Sequence, residues 1–381
     1  MGDLSATDDR IETVEARTVA VPLRKPPAFS TRAITARHYT IVRVRTKTGV
    51  EGMGFCYCGD RAGHLVTQFV RDFLRDHVVG TDPASVEAVW TRMYRDALLM
   101  GRRGAVLRAM SAIDMAIWDI LAKTRGVPLH KLLGDPKGES VPCYASGGYY
   151  WEGVDPVGHV REEVGGYVEA GFEAVKIKVG GLPLEEDLQR ARAARQMLGP
   201  DRLLMLDANN AWPDVASAIP AINALAEVEP FWVEEPLMPD DIRGHAAIRN
   251  AVGVPIATGE IEATRWGFSE ILKLEAADVL QSDATVLGGI TEFRKVAEMA
   301  AEKDVPIYPH AWHQLHVSLV ASIPIVMMVE YFADALVVNL GELMEETPQA
   351  VNGRLPVPQE PGIGFRFDEG ALDRYGVDEW R

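Results

Sequence analysis

Seven polar residues each stand at the end of a short apolar run, and their even spacing constrains the fold more than any other feature of the chain. They are Lys178, Asp207, Glu234, Glu260, Asp283, His310 and Glu330. Neighbours in this series lie between 20 residues (His310 to Glu330) and 29 residues (Lys178 to Asp207) apart, about one strand plus one helix. The carboxyl ends of consecutive parallel strands meet at one mouth of an α/β barrel. We therefore expect these side chains to form one active site.

The 381 residues exceed the usual length of one domain, so we expect a barrel with a second domain. Segments rich in β-branched residues within 11–58 predict strands, and a helical pattern runs from 67 to 131. We predict an α+β capping domain at 1–135, a barrel at 136–340, and a Pro- and Gly-rich tail at 341–381 that returns to the cap. The fold class is thus α/β, a modified TIM barrel with a cap.

Composition limits the classes of partner that the protein is expected to bind. The net charge of −16 argues against nucleic acid and anionic membranes. Three cysteines, Cys56, Cys58 and Cys143, are too few and too poorly spaced for a disulfide framework or a zinc site. The N-terminus has no apolar signal segment, and no later run is long enough to span a membrane. We expect a cytoplasmic homo-oligomer that acts on a small-molecule carboxylate.

The acids predict a metal site. Asp207, Glu234 and Glu260 would point three carboxylates into one pocket, where repulsion prevents all three from ionising unless a cation lies between them. Oxygen ligands without His or Cys favour Mg²⁺, with Mn²⁺ as a substitute. The alternative is that each acid caps the helix that follows it. That alternative explains single acids better than three on adjacent strands.

The lysines are candidate bases. In AVKIKV, strand alternation places Lys176 and Lys178 on one face, which we expect to point into the barrel. Two ammonium groups beside a divalent cation would lower each other's pKa, so that Lys178 could act as a base near neutral pH. The alternative is that both lysines merely balance the three acids.

His310 follows the sixth of these runs and Asp283 the fifth, so we expect them to hydrogen bond, with the carboxylate fixing the tautomer of the imidazole. Glu330 would lie beside a substrate carboxylate, stay protonated and donate a hydrogen bond where negative charge develops. The alternative interpretation of Glu330 is a simple charge at the end of a strand. Together these groups suit abstraction of the proton α to a carboxylate.

The sequence resembles the mandelate racemase-like subgroup of the enolase superfamily over nearly its whole length. The motifs that carry the resemblance are SAIDMAIWDILAKTRGVPLHKLLG in the cap, then KIK at 176–178, LDAN at 206–209, VEEP at 233–236, TGE at 258–260, SDAT at 282–285, PH at 309–310, VEYF at 329–332 and PGIGF at 361–365. The resemblance implies a (β/α)₇β barrel under an α+β cap, with the three acids as metal ligands and Glu235 behind them.

The resemblance also implies roles for the other groups. Lys178 is one base, the His310–Asp283 dyad is the other, and Glu330 polarises the substrate carboxylate. Muconate-lactonising relatives place a lysine where Asp283 stands, so that activity is disfavoured. Asp135 replaces a glycine that is frequent in relatives, at a position that we expect to lie far from the chemistry.

We expect residues near the barrel mouth and in closing loops to contact substrate, and arginine and tyrosine side chains such as Arg37 and Tyr149 add further donors there. The residues predicted to bind substrate are Asn209, Tyr57, Arg32, His38, Tyr150, Trp151 and His313. A zinc site in HAWHQLH is disfavoured, since His310 already has a role and the third histidine lies well round a helix from the first.

The leading hypothesis is a Mg²⁺-dependent dehydratase that converts a sugar-derived aldonic or aldaric acid to a 2-keto-3-deoxy acid. A racemase or epimerase of a 2-hydroxy acid would use the same two bases without loss of water. A third hypothesis is an inactive family member with a structural or binding role, which would be expected to have lost at least one of the seven groups. The sequence leaves the identity of the acid and its stereochemistry open.

Overall fold

The computed structural model describes residues 9–134, 138–333 and 337–381, so Asp135 lies outside the described residues. The segments rich in β-branched residues form three strands, β1 (Ile11–Pro22), β2 (Ala36–Thr46) and β3 (Glu51–Tyr57). They pair antiparallel in the order β1–β2–β3. The segment between β1 and β2 contains two prolines, which cannot donate to a strand ladder, and it forms the predicted loop.

Four helices follow in the cap: α1 (Gly63–Phe69), α2 (Val86–Ala97), α3 (Ala105–Thr124) and α4 (Leu129–Leu133). Helix α3 is buried along most of its length because one side packs on the sheet and the other faces the barrel. Its contact with β3 depends on Gly52 and Gly54, where a Cβ atom would collide with backbone carbonyls of α3.

The barrel contains seven parallel strands in the order β10–β4–β5–β6–β7–β8–β9. The strands are β4 (Ser140–Gly147), β5 (Ala174–Lys178), β6 (Leu203–Asp207), β7 (Trp232–Glu234), β8 (Ile256–Thr258), β9 (Val279–Leu280) and β10 (Val329–Tyr331). The helices between them are α5 (Pro156–Glu169), α6 (Leu184–Leu198), α7 (Val215–Leu225), α8 (Ile242–Ala251), α9 (Thr264–Lys273), α10 (Ile290–Ala301) and α11 (His313–Ser322).

An eighth position closes the ring without forming a full strand. Ile307 makes parallel bridges to Leu280 on one side and to Val326 on the other. Pro306 and Pro309 flank this bridge, and since proline has no N–H to donate, the apolar run VPIYP is limited to one paired residue. The eight positions and seven helices make the predicted (β/α)₇β barrel.

Strand alternation separates the two faces of the barrel wall as predicted. On β5, Val175 and Ile177 join the main core, while Lys176 and Lys178 point to the acids of the interior. A smaller apolar cluster, separate from the main core, includes Tyr144 and Trp232. The ring of Tyr144 lies 5.5 Å from Lys176 Nζ. The barrel interior is therefore apolar on one side of Lys176 and charged on the other.

Helix α3 also fixes the cap to the barrel. The Asp114 carboxylate accepts hydrogen bonds from the backbone N–H of Thr291 at 3.0 Å and from its hydroxyl at 2.5 Å. The Trp118 indole donates to the same hydroxyl at 2.9 Å. A Cβ atom at Gly289 would collide with Asp114, so glycine permits this approach.

The C-terminal segment contacts both units. Strand β11 (Arg354–Pro356) pairs antiparallel with β4, and α12 (Glu369–Tyr375) lies beside β1. The backbone N–H of Ile363 donates to Asp119 of α3 at 2.8 Å. The predicted domain boundaries after residues 135 and 340 stay predictions. Within the described ranges, no helix combines the length and apolar character needed to cross a bilayer.

Candidate active site

Three carboxylates converge at the mouth of the barrel. Asp207 and Glu234 end β6 and β7, and Glu260 follows β8 by two residues. Each offers an oxygen within 4.8 Å of the other two, and all three side chains are buried. This is the only such cluster of potential metal ligands that the described residues form, and the histidines of HAWHQLH do not make another.

The cluster carries an excess of negative charge. Burial and the neighbouring Asp207 carboxylate raise the pKa of Glu234 to about 8. Burial and Glu260 also raise the pKa of Glu235, and neither of its carboxylate oxygens has a hydrogen-bond partner among the described residues. Buried carboxylates in this state favour a cation between them. The donor set, all oxygen and anionic, fits a hard divalent ion such as Mg²⁺.

Lys176 and Lys178 enter the cluster from β5. Lys176 Nζ lies 2.8 Å from Glu234 Oε1 and 2.8 Å from Glu330 Oε1, and Lys178 pairs with Asp207. Burial alone would lower the pKa of each lysine, but the adjacent carboxylates outweigh burial and raise both. We expected each lysine to lower the other's pKa. Lys176 does lower the pKa of Lys178, but this effect is small here because Asp207 outweighs it.

His310 and Asp283 form the expected pair. His310 Nδ1 lies 2.9 Å from Asp283 Oδ2, and Nε2 lies 3.6 Å from Glu260 Oε2. Burial would lower the pKa of the imidazole, but Glu260 and Asp283 raise it to about 9. Asp283 also accepts from the Trp312 indole at 2.9 Å. The histidine is thus held in one orientation, and in the free site its neighbours favour the cationic form.

Glu330 lies among the charged groups of the site. We expected it to stay protonated beside a metal-bound substrate carboxylate, and that stays a prediction for the substrate complex. In the free site its carboxylate accepts a hydrogen bond from the backbone N–H of Ala311 at 2.7 Å and pairs with Lys176. Burial would raise its pKa, yet Lys176 and His310 lower it to about 2. Glu330 is therefore ionised in the free site, because Lys176 supplies the counter-charge.

A cavity of about 390 Å³ lies between the cap and the barrel mouth. The barrel contributes reactive groups to its wall, and the cap contributes the residues opposite them. The barrel residues include Lys178, Glu260, Asp283, His310 and Glu330, and the cap residues include Phe29, Arg32, Arg37, Tyr57 and Arg108. Its volume falls in the range of small-molecule sites.

Only part of the predicted substrate-binding set lines this cavity. Asn209, Tyr57 and Arg32 do. The other four residues do not line it. Among the described residues the buried His38 Nδ1 has no hydrogen-bond partner, the Tyr150 hydroxyl bonds to Asp187, Trp151 packs against Lys25 and His159, and the His313 ring packs against Tyr331. Burial lowers the pKa of His313 to about 3.

Two residues near the site were missed by the sequence analysis. Trp312 lines the cavity and orients Asp283, and its position two residues after His310 is the signal that could have identified it. Arg108 lies on α3 and donates to the Tyr57 carbonyl at 2.7 Å. The only basic residue in the mostly apolar run AVLRAMSAIDMAIW was the corresponding signal.

Comparisons with known proteins give the family. Residues 159–371 match the enolase C-terminal domain-like family, and residues 11–134 match the mandelate racemase / muconate lactonizing enzyme N-terminal domain. An L-talarate/galactarate dehydratase from Salmonella typhimurium is 33% identical over 373 residues, which cover 96% of this chain and 91% of that protein. An arabinonate dehydratase from Saccharolobus solfataricus is 32% identical over 87% of this chain and 89% of that protein.

A solved structure supports the same assignment. The structure of a racemase from Streptomyces coelicolor with bound magnesium superposes with a TM-score of 0.89 at 33% identity, over 96% of this chain and 100% of that one. The matches extend over both the cap and the barrel, so they are not limited to a shared barrel. The chain belongs to the mandelate racemase-like subgroup of the enolase superfamily.

Proposed function

We propose that the protein is a Mg²⁺-dependent dehydratase that removes the α-proton of a sugar-derived carboxylic acid and expels its β-hydroxyl, giving a 2-keto-3-deoxy acid. One observation carries the proposal: Lys178 and His310 line a single cavity together with Glu260, which belongs to the three-acid cluster. The similarity to a talarate/galactarate dehydratase and an arabinonate dehydratase supports dehydration.

Asp207, Glu234 and Glu260 would hold the cation, since they are the oxygen donors that lie within reach of one another. When bound, Mg²⁺ offsets the carboxylate charge beside Lys178 and stabilises negative charge on the substrate carboxylate. A relative of solved structure contains magnesium. Asn209 supports the cluster, because its backbone N–H donates to Asp207 at 2.9 Å.

Lys178 and His310 have complementary tasks. They follow the second and the seventh of the eight barrel positions, so they approach the substrate from different sides. Lys178, as the neutral amine, would take the α-proton. His310, held by Asp283, would give a proton to the departing hydroxyl, so that water leaves and the C–H electron pair becomes the new double bond. The enol product then tautomerises to the 2-keto acid.

A racemase is the second candidate, because the same opposed pair could remove a proton on one face and return it on the other. The similarity to the Streptomyces coelicolor racemase favours it. Polar groups on the cap side of the cavity favour the dehydratase, since a polyhydroxy acid needs hydrogen-bond donors along its length. We also propose a cytoplasmic location, in keeping with three free buried thiols, and a homo-oligomeric state, which stays a prediction.

A library of aldonic and aldaric acids tests the proposal. Each acid is incubated with Mg²⁺-loaded protein, and 2-keto acid is measured after derivatisation. Glu234→Gln protein, purified in the same way, controls for contaminating enzymes. We expect one or a few acids to give 2-keto-3-deoxy acid with wild-type protein alone. Absence of keto acid from every substrate, with epimer formation from one of them, would favour the racemase.

A further inference from the structure

Arg37 is unusual among the buried cations of this protein. Four arginines are buried within the described residues, and three of them pair with carboxylates. Arg17 pairs with Asp373, Arg43 with Glu51 and Glu369, and Arg190 with Asp187. Arg37 is 5% exposed and has no described carboxylate within ion-pairing distance. A buried charge without a counter-charge is costly, so a buried guanidinium that lines a cavity favours an anionic ligand there.

The donors of Arg37 point to where that anion would bind. Its Nε donates to the Val337 carbonyl at 2.7 Å, and its guanidinium carbon lies 5.0 Å from the centre of the Tyr57 ring. The two Nη atoms keep accessible surface and make no hydrogen bond to described residues, and Arg37 lines the cavity. These atoms present the planar pair of donors that binds a carboxylate with two parallel hydrogen bonds.

The charge around Arg37 also favours an anion. Arg108 and Arg32 line the same cavity, and Arg108 uses one of its Nη atoms to bind the Tyr57 carbonyl. The one described acid that the cap adds to the wall is Asp60, which already pairs with Arg61 at 2.9 Å. The cap side of the cavity is thus cationic in a protein whose net charge is −16. A dianion repelled by the whole molecule would be attracted here.

The cavity therefore has two places for negative charge. The barrel side would take the reacting carboxylate beside the three-acid cluster, and the cap side offers Arg37. We propose that Arg37, assisted by Arg108, binds a second carboxylate at the far end of the substrate, so that the substrate is an aldaric rather than an aldonic acid. This inference rests on the proposed function. It also separates the two kinds of dehydratase to which the chain is similar, one named for dicarboxylic and one for monocarboxylic acids.

Matched substrate pairs test the inference. Each aldaric acid is compared with the aldonic acid that carries a hydroxymethyl group in place of the distal carboxylate. We expect wild-type protein to prefer the aldaric member in kcat/KM. Arg37→Gln should lower kcat/KM for the aldaric acid by about 10- to 100-fold, as expected for a lost hydrogen bond to a charged group, and lower that for the aldonic acid much less. Arg37→Lys should have a kcat/KM for the aldaric acid between the values of wild type and Arg37→Gln.

Arg45→Gln is the matched control, since Arg45 lies on the same strand, carries the same charge and is exposed away from the cavity. A wild-type preference for aldonic acids, or an equal loss on both substrates in Arg37→Gln, would overturn the inference. The second outcome would assign Arg37 a structural role through Val337. Arg108→Gln provides an independent variant if Arg37→Gln fails to fold, with the same direction of change expected.

Binding separates this inference from the proposed function. Calorimetry with Mg²⁺-loaded Lys178→Ala protein measures affinity without turnover. We expect the aldaric acid to bind more tightly than its aldonic partner, and the difference to disappear when Arg37→Gln is added. If no acid is dehydrated but this difference is present, the dehydratase proposal fails and the distal-carboxylate site stands. Equal affinities would refute the site even if dehydration is observed.

Discussion

Replacing Lys176 tests how the buried charges of the site are balanced. Its Nζ lies 2.8 Å from Glu234 Oε1, 2.8 Å from Glu330 Oε1 and 3.9 Å from Asp207 Oδ2, and the side chain is fully buried. Lys176→Met keeps an unbranched chain but leaves these carboxylates without their shared partner. Removing one partner from a buried ion pair costs about 3–5 kcal/mol.

That cost corresponds to a measurable change in melting temperature. An unfolding entropy of about 2.1 cal/mol/K per residue gives roughly 0.8 kcal/mol/K for the 381 residues, so Tm should fall by about 4–6 °C in EDTA. Mg²⁺ supplies positive charge to the same carboxylates and should offset part of the loss. We therefore expect Mg²⁺ to raise the Tm of Lys176→Met more than that of the wild type.

Scanning calorimetry with EDTA and with Mg²⁺ measures both effects. Lys123→Met is the control, because Lys123 pairs with the buried Asp119 at 2.7 Å but is partly exposed and, among the described residues, makes no ion pair with the acid cluster. Its loss of Tm should be smaller and independent of Mg²⁺. Two results would refute the charge balance described above. One is an unchanged Tm for Lys176→Met in EDTA, and the other is the same Mg²⁺-induced rise in Tm in variant and wild type.

Three further predictions concern the metal, the bases and the cap. EDTA should abolish activity and Mg²⁺ should restore it. Activity should also be lost on replacing any one metal ligand, while circular dichroism shows an intact fold; the variants are Asp207→Asn, Glu234→Gln and Glu260→Gln. Lys178→Ala and His310→Asn should each lose turnover, while one of them still exchanges the α-proton with solvent deuterium in NMR; normal turnover in both would contradict their roles. Burial raises the pKa of Asp114 from 3.8 to about 7, so its contribution to stability is complete below about pH 4 and is lost as the pH rises toward 7. Asp114→Asn cannot ionise, and its Tm relative to wild type should therefore improve between about pH 5 and about pH 8.

The arrangement of the site was predictable because it follows from periodic geometry. Parallel strands repeat at nearly constant sequence intervals and end at one mouth, so residues as distant as Lys178 and Glu330 could be brought together from spacing alone. Strand alternation likewise placed Lys176 beside Lys178. Proline content explains where the pattern weakened: VPIYP provides one paired residue, Ile307, rather than a strand, because Pro306 and Pro309 cannot donate.

The charge states were not predictable, since they depend on sums over neighbours in three dimensions. In the free site Lys176 pairs with Glu330 as well as with Glu234, which favours an ionised Glu330, and the sequence does not specify that choice of partners. The packing of loop residues was not predictable for the same reason, since it also depends on neighbours in three dimensions. Tyr150 and His313 are polar and close in sequence to the site, but the sequence does not show that Tyr150 bonds to Asp187 or that His313 packs against Tyr331. Their roles as substrate contacts stay predictions.

Proton NMR of the reaction in D₂O tests the central claim most directly. If the site removes the α-proton and expels the β-hydroxyl, Mg²⁺-loaded wild-type protein should convert a sugar acid to a 2-keto-3-deoxy acid with one solvent deuterium at C3, because the enol takes its proton from water. Deuterated substrate with its epimer and no keto acid would contradict dehydration and favour the racemase. No deuterium in any acid sugar, with Mg²⁺ bound, would contradict the assignment of Lys178 and His310 as the bases.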